Sequence, residues 1–189
     1  MKPSRFVIGA LGGALLAILA LPAGAATEAA RSTPLVGRWE RVTSCQELVS
    51  ALTKAGLRKT APAMVAGNGF VPGTPKQLAA KADICKGAVP RRHSHFFTGA
   101  ATEFGSVDYN GQQVDDGSYR LVDARTVRIG DGKFHFRVKG RELRLDPVIS
   151  AAARRKALAQ PLQFSTAGWQ VAVAFPGHAW KRVPCAQWC

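Results

Sequence analysis

The chain has 189 residues, 47% of them hydrophobic and 20% charged, with 26 Lys and Arg against 12 Asp and Glu for a formal charge of +14. That is one domain, or one with a short appendage, and it carries enough apolar material for a core, which excludes a disordered polybasic tail. Four cysteines are too sparse for a disulfide-framework miniprotein, and the length is too short for a TIM barrel or a two-domain dinucleotide-binding enzyme.

The N-terminus reads as an export signal. Lys2 and Arg5 form a positive start, residues 6–21 are apolar, and Ala23-Gly24-Ala25 is an A-x-A cleavage site. The apolar run of about 16 residues falls short of the roughly 20 that span a bilayer. The expected division is a signal peptide over 1–25, a polar linker over 26–35 and a folded domain over 36–189. Cleavage would remove Lys2 and Arg5 and no acid, so the basic excess belongs to the folded domain. A secreted or periplasmic location is oxidising, and there Cys45, Cys85, Cys185 and Cys189 are expected to pair. Three connectivities exist. Cys45–Cys85 with Cys185–Cys189 is favoured because each joins residues of one region.

Gly37-Arg38-Trp39-Glu40-Arg41-Val42 reads as the first strand. Ser44 and Glu47 have capping-box spacing, and Leu48, Val49, Leu52 and Ala55 follow at helical intervals up to Gly56. Residues 57–73 carry Pro62, Gly67, Gly69, Pro72 and Gly73 and read as a loop. Thr74 with Pro75 starts a second short helix that ends near Cys85. From residue 92 the period becomes two. Strands are expected at 93–98, 102–109, 112–122, 126–130, 133–139 and 142–146. Asn110-Gly111, Asp116-Gly117 and Asp131-Gly132 supply the hairpin turns. Ser150 caps a late helix stopped by Pro161, and strands at 169–175 and 179–183 complete the chain. Trp39-Glu40-Arg41-Val42 is echoed by Trp180-Lys181-Arg182-Val183, either by chance or because the first and last strands meet at the seam of a closed barrel. The fold class is mainly β: an antiparallel up-and-down β-barrel with a two-helix insertion after strand 1 and a late helix.

Gly37-Arg38-Trp39 resembles the G-x-W signature of lipocalins and the wider calycin group. The order of strand, meander, late helix and closing segment is similar over roughly residues 36–146 and 168–184. Lipocalins set a C-terminal basic side chain against the motif Trp, and the resemblance implies that Arg182 does this to Trp39. The chain departs from lipocalins in its insertion over 44–91 and in lacking a T-D-Y motif, so it is calycin-like. It is similar to small exported bacterial lipocalin-like domains of unestablished function. The resemblance implies a barrel with room for a ligand.

His93 and His95 share a strand face with metal-ligand spacing, with His135 or Asp108 as a third group. The competing reading is a polar face beside Arg91 and Arg92. The segment 108–113 echoes a calcium loop, but Gln113 and Tyr119 stand where Gly and Glu are required, so it reads as a hairpin turn. Residues 67–73 match a phosphate loop poorly and read as a surface loop or a flap tipped by Phe70. No G-x-S-x-G or H-E-x-x-H occurs, no cofactor motif is present, and an enzyme could only be of unrecognised type. Arg120, Arg128, Arg137, Lys139 and Arg144 fall at polar positions of successive strands and form a potential basic stripe toward anionic envelope polymers or lipids. Without interleaved stacking aromatics, nucleic acid is disfavoured as a partner. The aromatics at apolar positions are read as core or, in an open barrel, as a pocket wall. The leading expectation is non-catalytic binding of a small apolar or amphipathic molecule by Trp39, Phe70, Phe96, Phe104, Tyr119, Phe136 and Trp169.

Overall fold

The computed structural model describes residues 33–99, 102–109, 111–160, 169–170, 172–175 and 177–185. The expected signal peptide and most of the expected linker lie outside them. So does Cys189, the expected partner of Cys185.

Among the described residues, eight strands close into one antiparallel barrel in chain order. They are β1 (Gly37–Thr43), β2 (Arg91–Phe97), β3 (Glu103–Val107), β4 (Gln113–Asp123), β5 (Thr126–Ile129), β6 (Gly132–Lys139), β7 (Glu142–Pro147) and β8 (Ala179–Val183). Helices α1 (Cys45–Lys54), α2 (Ala61–Gly67) and α3 (Pro75–Ala79) lie between β1 and β2, and α4 (Ala151–Ala159) follows β7. No helix of the described residues is long and apolar enough to cross a membrane.

Closure occurs where the echoed segments meet. Trp39 pairs with Arg182 and Glu40 with Lys181 across β1 and β8. Trp39 and Trp180 both point into the barrel and are buried. The Arg182 guanidinium lies 4.4 Å from the Trp39 ring centre. It donates to the Pro34 carbonyl at 2.6 Å, while the Trp39 indole N–H donates to the Leu35 carbonyl at 2.7 Å. Gly37 makes this latch possible. Its φ is +135°, and a Cβ there would stand 3.4 Å from an Arg182 nitrogen. Leu35 is itself fully buried, so core packing begins inside the stretch read as linker. Replacing Arg182 with Leu removes the cation–π contact and a charge-assisted hydrogen bond, and is expected to lower stability by about 2 kcal/mol in urea denaturation. Arg182→Lys should recover less than half, because a point charge cannot both stack and reach Pro34.

The insertion builds a second core over one end of the barrel. Leu48, Leu52, Met64, Phe70, Leu78 and Leu158 cluster there, apart from the aliphatic and aromatic interior of the barrel. Cys45 and Cys85 form a disulfide that ties the start of α1 to the end of the insertion. The Val89 N–H donates to the Phe70 carbonyl at 3.1 Å, and Arg91 donates to the Gly69 carbonyl, which lays this cap on β2.

Four local expectations change. Asp116-Gly117, read as a hairpin turn, lies inside β4, where the two residues pair with Gly105 and Phe104 of β3. Residues 61–67, read as loop, form α2. Pro62 sits at the helix start, where its missing N–H costs nothing, and the Asn68 amide closes the end on the Met64 carbonyl at 2.8 Å. The second expected helix stops early, at Ala79. Residues 169–175, read as a strand, are helical at 169–170 and 172–174. Gln170, Val173 and Ala174 are buried at i, i+3 and i+4, and the Gln170 amide donates to the Ala157 and Gln160 carbonyls of the α4 end.

Candidate functional site

Strand parity decides what faces the barrel interior. Along β1 the inward residues are Trp39, Arg41 and Thr43; along β2 they are His93, His95 and Phe97; along β3 they are Phe104 and Ser106. One end of the interior is therefore aromatic, and the end beneath the cap is polar. Arg41 stands directly across from His93, and Trp39 across from His95.

The two imidazoles are buried, with ring centres 4.7 Å apart. His95 lies 4.0 Å from the Trp180 ring, and His93 lies 5.1 Å from Trp180 and 5.5 Å from Tyr109. His93 Nε2 shares a hydrogen bond with Ser106 Oγ at 2.7 Å. The Nδ1 atoms of both histidines have no hydrogen-bond partner. Burial holds the His95 pKa down to about 3. Burial, His95 and Arg41 together push His93 well below the ordinary imidazole value. Both rings are therefore neutral at physiological pH, each with one donor and one acceptor nitrogen. No third His, Cys, Asp or Glu joins them among the described residues. His135 is exposed on the outer face against Thr126. Tyr109 donates to Thr43 Oγ1 at 3.2 Å, and burial lifts its phenol to about 12.

Beside this polar layer, at the same end of the barrel, lies a cavity of about 610 Å³. Phe104, Phe134, Trp169, Phe175 and Trp180 form its walls, with His95 and Ser106 on the floor. The β5–β6 turn at 130–131, the first two residues of β6 and residues 148–149 form the rim. Phe134 and Trp169 meet edge to face at 5.6 Å. A Cβ at Gly132 would come within 2.8 Å of the Phe134 ring and 3.2 Å of Trp169, so only glycine leaves both rings in place. A further recess of about 620 Å³ lies outside the barrel along α1, α4, Val173, Ala174 and His178. Its lining is mostly small or polar and lacks the aromatic wall.

Of the aromatics expected at a binding site, Phe104 and Trp169 line the barrel cavity. Trp39 is sealed beneath Arg182, and Phe136 sits in the barrel core. Tyr119 packs on Phe97 at 5.2 Å and donates to the Thr98 carbonyl. Phe70 is in the cap core, 5.2 Å from Tyr109, rather than at the tip of a flap. Phe96 is on the outer face, with the Arg38 guanidinium 5.3 Å from its ring, because Phe97 takes the inward position. Among the cavity residues outside the expected binding set are Phe134, Phe175, Trp180, His95 and Ser106. His95 was marked in the sequence by its period-two spacing with His93, and Trp180 by its echo of Trp39.

On the outer face, Arg120 pairs across strands with Arg128, and Arg128 with Lys133; Arg137 pairs with Arg144. Four of the five expected stripe members are thus paired across strands, while Lys139 pairs with Glu142. No protein-family model, curated protein or solved structure matches this chain.

Proposed function

We propose that this is an exported, non-catalytic binding protein of calycin-like kind that holds a small apolar or amphipathic molecule in the barrel mouth. The observation that carries the reading is the cavity of about 610 Å³, walled by five aromatic rings and floored by a buried imidazole that lacks a hydrogen-bond partner at Nδ1. Its size lies in the range of about 300–1,000 Å³ usual for small-molecule sites, and so does its mix of apolar wall and sparse polar groups. The latch of Arg182 on Trp39 supports the calycin-like kinship. The N-terminal signal pattern and the Cys45–Cys85 bond support export.

The test is titration with the neutral fluorophore N-phenylnaphthylamine, read by its emission and by quenching of Trp169 and Trp180. Saturable binding is expected. Trp169→Ala should weaken it about tenfold, roughly 1.4 kcal/mol, and Gly132→Ala should weaken it severalfold by displacing Phe134 and Trp169. Phe96→Ala, on the outer face, should leave it unchanged. Absence of saturable binding, or equal binding by Trp169→Ala, overturns the proposal.

A second reading uses the basic outer face. Like charges placed directly opposite each other on neighbouring strands are destabilising. The row Arg120, Arg128 and Lys133 therefore supports contact with an anionic envelope polymer or lipid surface. Retention on heparin that falls with salt and is lost in Arg128→Glu is the expected result.

A further inference from the structure

Among the described residues, Arg41 is the one buried cation that has no acid partner. It is 5% exposed, and among the described residues no carboxylate lies within ion-pair distance of it. Its guanidinium rests 3.9 Å from the centre of the Phe175 ring and donates from Nη2 to His178 Nδ1 at 2.9 Å. Its Nη1 is buried with no hydrogen-bond partner. Arg38, by contrast, has Glu40 as its ion-pair partner, and Arg92 reaches the same carboxylate at 3.4 Å. A cation taken out of water is costly unless it is paired, and an aromatic face and a neutral imidazole return only part of that cost.

The surroundings of Arg41 share its incompleteness. His93 stands directly opposite on β2, and His95 is the next inward residue on that strand. The Nδ1 atoms of both are buried and unpartnered. Three polar atoms without partners therefore belong to adjacent side chains of one interior face. This layer is contiguous with the cavity. Phe175, which carries Arg41 on its ring, lines the cavity, as do His95 and Ser106.

We infer that the ligand is an amphipathic carboxylate, its apolar body among Phe104, Phe134, Trp169 and Trp180 and its head group turned inward past Phe175 toward Arg41 and the His93–His95 pair. This rests on the reading of the cavity as a binding site and adds the charge and orientation of what it takes. A carboxylate brings the missing negative charge. It also brings two acceptor oxygens, one for Arg41 Nη1 and one for an imidazole N–H. An alcohol could satisfy an imidazole but would leave the guanidinium uncompensated. A cationic head group would face Arg41 in a site with little water to screen it.

The experiment compares laurate, dodecanol and dodecyltrimethylammonium, which share a tail and differ in head group, by tryptophan quenching of the full chain. Laurate is expected to bind at least tenfold more tightly than dodecanol, and dodecyltrimethylammonium most weakly. Arg41→Met should abolish the preference for laurate while leaving dodecanol affinity within twofold, and Arg41→Lys should restore part of it. Removing an unpaired buried charge should leave the urea midpoint of Arg41→Met unchanged or raised, whereas a purely structural arginine would lower it. Equal affinity for laurate and dodecanol, or a preference that survives Arg41→Met, overturns this inference and leaves the cavity reading standing. Failure of all three probes to bind overturns both.

Discussion

Lowering the pH from about 6.5 to about 5 should remove on the order of 4 kcal/mol from the folding free energy, most of it through His93 and His95. Burial holds His95 at about 3 and His93 well below its ordinary value. In the unfolded chain both titrate near 6.5. Above that pH neither state binds the protons, and the histidines contribute no pH dependence. Below it the unfolded chain takes up two protons that the native interior refuses. Stability is therefore full above the unfolded value and falls with pH by about 1.4 kcal/mol per unit for each ring, down toward the folded value. Carboxylates add their own acid dependence at lower pH, so the window from about 6.5 to about 5 isolates the imidazoles. The measurement is the urea midpoint against pH. His95→Gln keeps the approximate volume without a titrating group and should cut the slope in this window by about half. A flat profile for the unaltered protein, or an unchanged slope in the variant, would show that these rings accept protons in place. Against a typical total of about 5–15 kcal/mol, the predicted loss is enough to bring the domain near unfolding in mildly acidic buffer.

The parity of β2 explains why this pair was hard to place from sequence. In Arg91-Arg92-His93-Ser94-His95-Phe96-Phe97 two phenylalanines are adjacent, so period-two reasoning allows either face inward. Phe96 inward puts the histidines in solvent; Phe97 inward puts them in the core. What decides is the pairing of Trp39 with His95 across β1, a contact between residues far apart in sequence. The barrel itself was easier to read. In β6 and β7 the burial alternates cleanly, and the β5–β6 hairpin turns at Gly130-Asp131, one residue before the expected Asp131-Gly132. The seam was legible for a different reason: two nearly identical tetrapeptides, each beginning with Trp, occupy the two strands that must meet. Helical Trp169, Gln170, Val173 and Ala174 were not legible, because the run of β-branched and aromatic residues imitates a strand. Their helical form is held by Gln170 against the end of α4, another long-range contact. The cavity wall inherits that ambiguity, since Trp169 and Phe175 lie on this segment.

Reducing the Cys45–Cys85 disulfide should cost about 4 kcal/mol, because it closes a loop of 40 residues and reduction frees that loop in the unfolded chain. The loss should not be spread evenly. The bond lies within the cap, whose core of Leu48, Leu52, Met64 and Phe70 is separate from the barrel interior. Hydrogen exchange should therefore show amides of α1 and α2 losing protection first, while β5, β6 and β7 keep theirs. The double variant Cys45→Ala/Cys85→Ala should behave like the reduced protein without introducing a free thiol. Equal loss of protection in cap and barrel would mean that the two cores unfold as one unit. The two largest effects are also linked. Phe70 of the cap packs on Tyr109, and Tyr109 packs on His93. A loosened cap admits water to His93 and lets it titrate closer to its ordinary value, whereas His95, deeper against Trp180 and Phe104, stays dry. The reduced protein should accordingly be less stable at neutral pH yet lose less on acidification, its slope between about pH 6.5 and 5 falling toward that of a single histidine.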